Sequence, residues 1–84
     1  MTDLQVNALL YDGARVEMDG VVINSWFDDS TGEKNIELVW NNPLREVSFI
    51  ANGMTPSELR RRLEMEMRAW GSLKREKVDG CKLR

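Results

Sequence analysis

The chain has 84 residues, of which 42% are hydrophobic and 31% charged, with a formal net charge of −2 and no histidine. This composition is typical of one soluble globular domain, and no run of about eighteen apolar residues is present to span a membrane. The single cysteine, Cys81, excludes an internal disulfide and a thiolate metal cluster. Because the start, MTDLQVNALLYDG, lacks a basic flank and a cleavage site, we expect no signal peptide and a cytoplasmic location.

Charge is unevenly distributed along the chain. Residues 1–54 contain three basic and nine acidic residues, whereas residues 55–84 contain nine basic and five acidic residues. The first part therefore has a net charge of −6 and the second part has +4. This asymmetry suggests a charged partner for one end or a head-to-tail self-contact, although uneven surface charge also occurs without a function.

The N-terminal segment from Leu4 to Tyr11 fits two structures. Its apolar residues alternate as in an edge strand, but it could also be a short helix entered from Thr2, and so short a pattern does not decide. A helix would give the order helix, three strands, helix, which is the order of double-stranded RNA-binding domains. The lysine-rich start of that family's last helix is not present at Ser57 to Arg60, so we assign no family.

Turn signals at regular intervals predict a meander of antiparallel strands. They are Asp12-Gly13, Asp19-Gly20, the run from Asp28 to Gly32, and Asn41-Asn42-Pro43. A spacing of roughly eight to twelve residues is typical of short strands joined by turns. Asp19-Gly20 could close a two-residue hairpin between residues 15–18 and 21–24, or Gly20 could be a bulge within one long strand.

The alternation of apolar residues assigns the strand residues to two faces. The face directed at the core is predicted to carry Val21, Ile23, Phe27, Ile36, Leu38, Trp40, Val47 and Phe49. The other face is predicted to carry Val22, Trp26, Asn35, Glu37 and Val39. Because the strand after Gly20 has apolar residues on both faces, we expect it to be central. On a sheet covered on one side only, Trp26 would be exposed.

The clearest element is a helix from Pro56 to Trp70. Thr55 and Glu58 have the spacing of a capping box, with proline at the first helical position. Gly71 is expected to end the helix. The apolar stripe of this helix consists of Leu59, Leu63, Met67 and Trp70. We expect this stripe to pack on the sheet and complete the core.

Three consecutive arginines, Arg60 to Arg62, lie in this helix. At about 100° per residue they point in three directions and do not form one patch. The expected pairs at helical spacing are Arg60–Glu64, Glu58–Arg62 and Arg62–Glu66. Arg61 is left without a partner, and it shares the outward face of the helix with Met65 and Arg68.

The sequence contains no catalytic motif that we recognise. Without histidine, the commonest general base and the commonest transition-metal ligand are missing. No glycine-rich phosphate loop follows a strand. The run from Asp28 to Glu33 lacks the alternate acids and the distal glutamate of a calcium-binding loop. We therefore expect a protein that is not an enzyme and that uses no cofactor or metal.

The expected fold is α+β, an antiparallel meander of about four strands with one C-terminal helix, Pro56 to Trp70, packed on one face. Residues 1–71 are expected to form a single domain. Residues 72–84 are expected to form a basic tail that is flexible or makes a short hairpin at Asp79-Gly80.

The leading functional hypothesis is a small protein-interaction module, of adaptor or inhibitor type, whose acidic sheet surface meets a basic surface of another protein. The expected contact residues are Trp26, Asp28, Asp29 and Glu37. Trp26 is the expected anchor because exposed tryptophan is enriched at binding hot spots. The lack of catalytic residues is also consistent with an accessory protein of a mobile element such as a phage or prophage.

Two alternatives belong to other classes. A nucleic-acid-binding module would use the outer helix face and the basic tail, and its phosphate contacts would make affinity fall steeply with salt. The residues expected to bind there are Arg61, Arg68, Lys74, Arg75 and Lys77. A structural subunit, for example a homodimer, would instead self-assemble through its oppositely charged ends.

Overall fold

The computed structural model describes the backbone of residues 1–82 and the side chains of residues 1–71. The elements in chain order are α1 (Asp3–Asn7), a π-helical turn (Ala8–Asp12), β1 (Arg15–Met18), β2 (Val21–Asp28), β3 (Glu33–Asn41), β4 (Leu44–Ile50) and α2 (Pro56–Lys82). The four strands form one antiparallel sheet in the order β1-β2-β3-β4. The predicted α+β class is therefore confirmed.

The N-terminal segment is helical, so the interpretation of Leu4 to Tyr11 as an edge strand is wrong. Thr2 Oγ1 accepts a hydrogen bond from the Gln5 N–H at 3.1 Å, and Gln5 Oε1 accepts one from the Thr2 N–H at 2.9 Å. This capping box gives partners to backbone groups that the first turn leaves unpaired. The buried residues of the segment are Val6, Leu9 and Leu10. Their spacing is helical, which places them on one side.

Asp19-Gly20 joins β1 and β2 as a two-residue hairpin. Both residues have positive φ, 49° and 78°, which is the backbone conformation that a tight turn of type I′ requires. The bulge alternative is therefore wrong. The β3–β4 hairpin turns at Asn42-Pro43, where the peptide bond is cis.

The helices cover one face of the sheet, and the core lies between the two layers. The buried core residues are Val6, Leu9, Leu10, Val16, Val21, Ile23, Ile36, Leu38, Trp40, Ala51, Leu59 and Leu63. Around them pack partly buried residues that include Val47, Phe49, Met67 and Trp70. The predicted apolar stripe of α2 is therefore confirmed as the part of the helix that meets the sheet.

Phe27 does not join this core, contrary to the prediction. It is 55% exposed, and its cross-strand neighbour on β3 is Lys34. β4 ends at Ile50, opposite Asn35, and the ladder continues only into Ala51, whose N–H donates to the Lys34 carbonyl. Phe27 therefore lies at the margin of the core, beside the charged Lys34.

The start of α2 agrees with the predicted capping box. The Thr55 N–H donates to Glu58 Oε1 at 2.9 Å, and the Glu58 N–H donates to Thr55 Oγ1 at 3.2 Å. The hydrogen bond that the Thr55 N–H donates to the Glu58 carboxylate, followed by the Thr55 hydroxyl beside it, lowers the pKa of Glu58 below its ordinary value.

The end of α2 differs from the prediction. The helix runs on to Lys82, so a stop at Gly71 and a hairpin at Asp79-Gly80 are both wrong. Gly71 does not adopt positive φ, and a glycine inside a helix costs only about 1 kcal/mol relative to alanine. The division into a domain of residues 1–71 and a tail stays a prediction. None of the described helices, α2 included, is long and apolar enough to cross a membrane.

Leu63→Ala is expected to lower the free energy of unfolding by about 2–5 kcal/mol, because Leu63 is fully buried where α2 meets the core. Met65→Ala is the matched control on the same helix. It should change the free energy by less than about 0.5 kcal/mol, since Met65 is exposed. Equilibrium urea unfolding measures both values. Equal losses for the two variants would contradict the packing of α2.

Candidate protein-interaction surface

The sheet has one face that no described element covers, opposite the helices. We call it the outer sheet face. Strand alternation assigns to it Arg15, Glu17, Val22, Asn24, Trp26, Asp28, Glu33, Asn35, Glu37, Val39, Asn41, Leu44, Glu46, Ser48 and Ile50. None of these residues is buried. They form the largest surface on which neighbouring strands hold side chains in fixed register.

The outer sheet face is acidic. Its charged residues are five carboxylates and one arginine, namely Glu17, Asp28, Glu33, Glu37, Glu46 and Arg15. Arg15 forms an ion pair with one of the carboxylates, since its Nη2 lies 2.6 Å from Glu17 Oε1. Grouped charges of one sign attract an oppositely charged partner and set its orientation. This face is therefore suited to a basic partner surface.

Apolar side chains lie at one end of the same face. Trp26 is 45% exposed and Ile50 is 48% exposed. Trp26 of β2 and Ile50 of β4 are both the cross-strand partners of Asn35 on β3. Since directly opposite side chains in a sheet have Cβ atoms about 4.5–5.5 Å apart, Trp26, Asn35 and Ile50 form one row across three strands. The predicted exposure of Trp26 is thus confirmed, and its role as an anchor stays a prediction.

The structure brings the four predicted contact residues to one region. Asp28 follows Trp26 by two positions and lies on the same face of β2. Glu37 is opposite Asn24, so it is the diagonal neighbour of Trp26. Asp29 is exposed in the turn that follows Asp28. The anchor candidate is therefore flanked by carboxylates along the strand and across it.

Asp28 is fixed by the turn that it begins. Its Oδ1 accepts hydrogen bonds from the Ser30 hydroxyl at 2.7 Å and from the Ser30 N–H at 3.0 Å. These hydrogen bonds favour the ionised form and lower the pKa of Asp28 below its ordinary value. The carboxylate beside Trp26 is consequently ionised throughout the neutral range.

The structure also shows a crevice beside Trp26 that sequence reasoning missed. It is lined by the π-helical turn and the end of the β2–β3 hairpin, with Leu9, Leu10, Tyr11, Asp12, Gly13, Trp26, Phe27 and Lys34. Tyr11 is exposed, and Lys34 Nζ lies 5.1 Å from the centre of its ring. Three exposed aromatic residues, Tyr11, Trp26 and Phe27, thus line this crevice. The one signal in the sequence was the adjacent pair Trp26-Phe27.

Arg61, Met65 and Arg68 are exposed on the side of α2 directed away from the sheet, as predicted. Within the described residues neither arginine takes part in an ion pair. This outer helix face and the outer sheet face lie on opposite sides of the molecule. Of the other residues predicted to bind nucleic acid, the side chains of Lys74, Arg75 and Lys77 lie outside the described residues.

Arg60 connects the two helices. It donates to Asp3 Oδ1 and to the Met1 carbonyl, and it forms an ion pair with Asp3. The predicted Arg60–Glu64 pair is therefore wrong. Sequence spacing identified the partner within the helix, but the fold places α1 next to this side chain.

Arg62 and Arg45 cover aromatic residues on the inner side of the sheet. Arg62 pairs with Glu66 at 3.0 Å, as predicted, and its guanidinium lies 4.2 Å from the centre of the Phe49 ring. The predicted pair of Arg62 with the capping glutamate does not form. The Arg45 guanidinium lies 5.4 Å from the Trp40 ring centre and 5.2 Å from that of Trp70. These contacts are cation–π interactions that seal the core at its edge.

No protein family, curated protein or solved structure was found that matches this chain. Within the part of the chain that the structure describes, no group of three or more histidine, cysteine, aspartate or glutamate side chains could hold a metal ion. Inference about function therefore depends on the geometry of the surfaces described above.

The pKa of Asp28, followed by NMR, is expected to lie below that of an unstructured aspartate and to rise in Ser30→Ala, which removes the hydroxyl donor. Folding lowers the pKa of Asp28, so the ionised Asp28 carboxylate stabilises the fold at pH values above the pKa that Asp28 has in the unfolded chain. This stabilisation is lost as the pH falls through the folded-state value. Glu58, whose capping partner is Thr55, is the internal control and should not shift. If the pKa of Asp28 were the same in Ser30→Ala as in the unaltered chain, the hydrogen bond from the Ser30 hydroxyl would be contradicted.

Proposed function

We propose that the protein is a non-enzymatic interaction module, of adaptor or inhibitor type, whose outer sheet face binds a basic surface of another protein. The observation that carries this proposal is the row of Trp26, Asn35 and Ile50 on a face that no described element covers, with carboxylate side chains around it. The row would supply buried contact area, and the carboxylates would select the partner by charge.

Trp26 has the properties of a binding anchor. Interface energy is concentrated in a few residues, with tryptophan enriched among them, and these are surrounded by polar groups that exclude water. Trp26 is 45% exposed, so a large part of its surface remains available to a partner. Asp28 and Glu37 lie at its sides and would form a charged rim.

The surface is also rigid. β2 and β3 are paired without a break from Val21–Trp40 to Asp28–Glu33, and their inward-facing residues Ile23, Ile36 and Leu38 are fully buried. The backbone of such strands loses little conformational freedom when a partner binds. Pre-organisation of this kind lowers the entropic cost of association.

Binding of nucleic acid through the outer helix face has less support. Arg61 and Arg68 are exposed there, but Glu58 and Glu64 are exposed on the same helix. The outer sheet face would in addition repel phosphates. Binding to a duplex that weakened steeply with salt would be the mark of that alternative.

Trp26→Ala is expected to weaken the binding of the partner by about 2 kcal/mol or more. The partner would first be retained on the immobilised chain from a lysate of the cell that makes it, and then be purified and titrated by calorimetry. Phe27→Ala is the matched control, because Phe27 is the next residue, is also exposed, and lies on the other face of β2. It should bind like the unaltered chain.

The charge of the face is tested with Glu37→Gln, which keeps the shape of the side chain and should lower affinity mainly at low salt. Partners retained equally by the unaltered chain, by Trp26→Ala and by Glu37→Gln, with all three folded by circular dichroism, would overturn the proposal. Loss of binding in Phe27→Ala but not in Trp26→Ala would place the contact in the crevice instead.

A further inference from the structure

β4 is a long free edge of the sheet. Among the described residues it pairs with β3 alone, and its seven residues, Leu44–Ile50, stay in register without a bulge. Edge strands are usually protected by short length, proline, bulges or charged side chains. β4 is neither short, bulged nor interrupted by proline, and of its two charged residues Arg45 is packed on the Trp40 and Trp70 rings and Glu46 points to the outer face. The other edge strand, β1, has four residues. β4 is therefore the edge that can accept another strand.

The backbone groups of alternate β4 residues point away from β3. The ladder continues into Ala51, whose N–H donates to the Lys34 carbonyl at 2.8 Å. Because hydrogen-bonded pairs alternate in an antiparallel ladder, residues 45, 47 and 49 direct their backbone groups towards β3. The backbone groups of Leu44, Glu46, Ser48 and Ile50 then point outwards, available to another strand.

We propose that β4 pairs with β4 of a second copy of this chain, antiparallel about a two-fold axis at Val47. Leu44 would lie opposite Ile50 of the second copy, and Glu46 opposite its Ser48. All the outward backbone groups of both strands would then form hydrogen bonds. The two four-stranded sheets would become one continuous sheet.

Side chains favour this register. On the outer sheet face, Leu44 is 67% exposed and Ile50 is 48% exposed. The pairing would bury Leu44 of each copy against Ile50 of the other copy. Glu46 faces a serine. Sliding the pairing by two residues, to centre it at Glu46, would instead place Glu46 opposite its own copy, and like charges directly opposite destabilise a sheet.

On the inner face the register places Arg45 opposite Phe49 of the second copy. The Arg45 guanidinium is held by the Trp40 and Trp70 rings, so its aliphatic stem would contact the Phe49 ring. Arg45 Nη1 is already buried without a hydrogen-bond partner in the single chain, and the register places an aromatic ring and no second cation opposite it.

The axis is perpendicular to the sheet, so both outer sheet faces point to the same side and each retains an exposed Trp26. Ile50 also belongs to the row with Trp26 and Asn35, so the pairing would use one residue of the proposed partner site and leave the other two open. The pairing is inferred from the β4 edge and does not rest on the proposed function. It also differs from self-assembly through oppositely charged ends, because the contact is made by one strand with itself.

Size exclusion with multi-angle light scattering, over a range of micromolar concentrations, is expected to give twice the chain mass of 9.7 kDa. Leu44→Lys and Ile50→Glu should each shift the protein to monomer. The double variant should restore the dimer, because the introduced lysine and glutamate lie opposite each other. Val39→Lys, on the same face but on the inner strand β3, is the matched control and should stay dimeric.

A monomer at every concentration for the unaltered chain would overturn the proposal. So would a dimer that survives both single substitutions, or a folded double variant that stays monomeric. Should a single variant fail to fold, Val47→Cys in a Cys81→Ser background decides. Val47 of one copy would lie directly opposite Val47 of the other at the two-fold axis, in a closely spaced pair without hydrogen bonds. Oxidation of the cysteine variant should therefore give a reducible covalent dimer, and failure to form that dimer would contradict the register.

Discussion

Contact between α2 and the inner side of the sheet is the constraint from which the rest of the structure follows. Leu59 and Leu63 are fully buried and belong to one core cluster with Ile36 and Leu38 of β3. Within the described residues, the helices cover one face of the sheet and leave the other uncovered. The candidate interaction surface is this second face.

The same constraint separates the charges. The covered side is closed by arginines that contact other residues: Arg60 holds Asp3, Arg62 covers Phe49, and Arg45 covers Trp40 and Trp70. The carboxylates of the strands point the other way because their positions alternate with the core residues. The five carboxylates of the strands therefore gather on the uncovered face of the sheet. An acidic surface with Trp26 at one end is the functional consequence that we propose.

Local patterns predicted much of this fold, and long-range contacts explain the errors. Alternation identified the core residues of β2 and β3, and Thr55 with Glu58 identified the start of α2, because both signals act over a few residues. The N-terminal helix has a similar capping box, formed by Thr2 and Gln5, which the alternating apolar pattern of a strand does not explain. Phe27 was misplaced because alternation assigns a face but does not show that this end of β2, beside Lys34, lies at the margin of the core. Within the candidate site, the exposure of Trp26 was predictable from its face, whereas the crevice with Tyr11 arises from tertiary packing.

Hydroxyl-radical footprinting of the isolated protein tests the central claim, that the helices cover one side of the sheet and leave the other bare. Trp26 and Trp40 lie on neighbouring strands and face opposite sides, with 45% and 4% of their surface exposed. Oxidation is measured by mass spectrometry at short exposures that leave the fold intact. Under these conditions Trp26 should be oxidised much faster than Trp40. Equal rates, or faster oxidation of Trp40, would contradict the account.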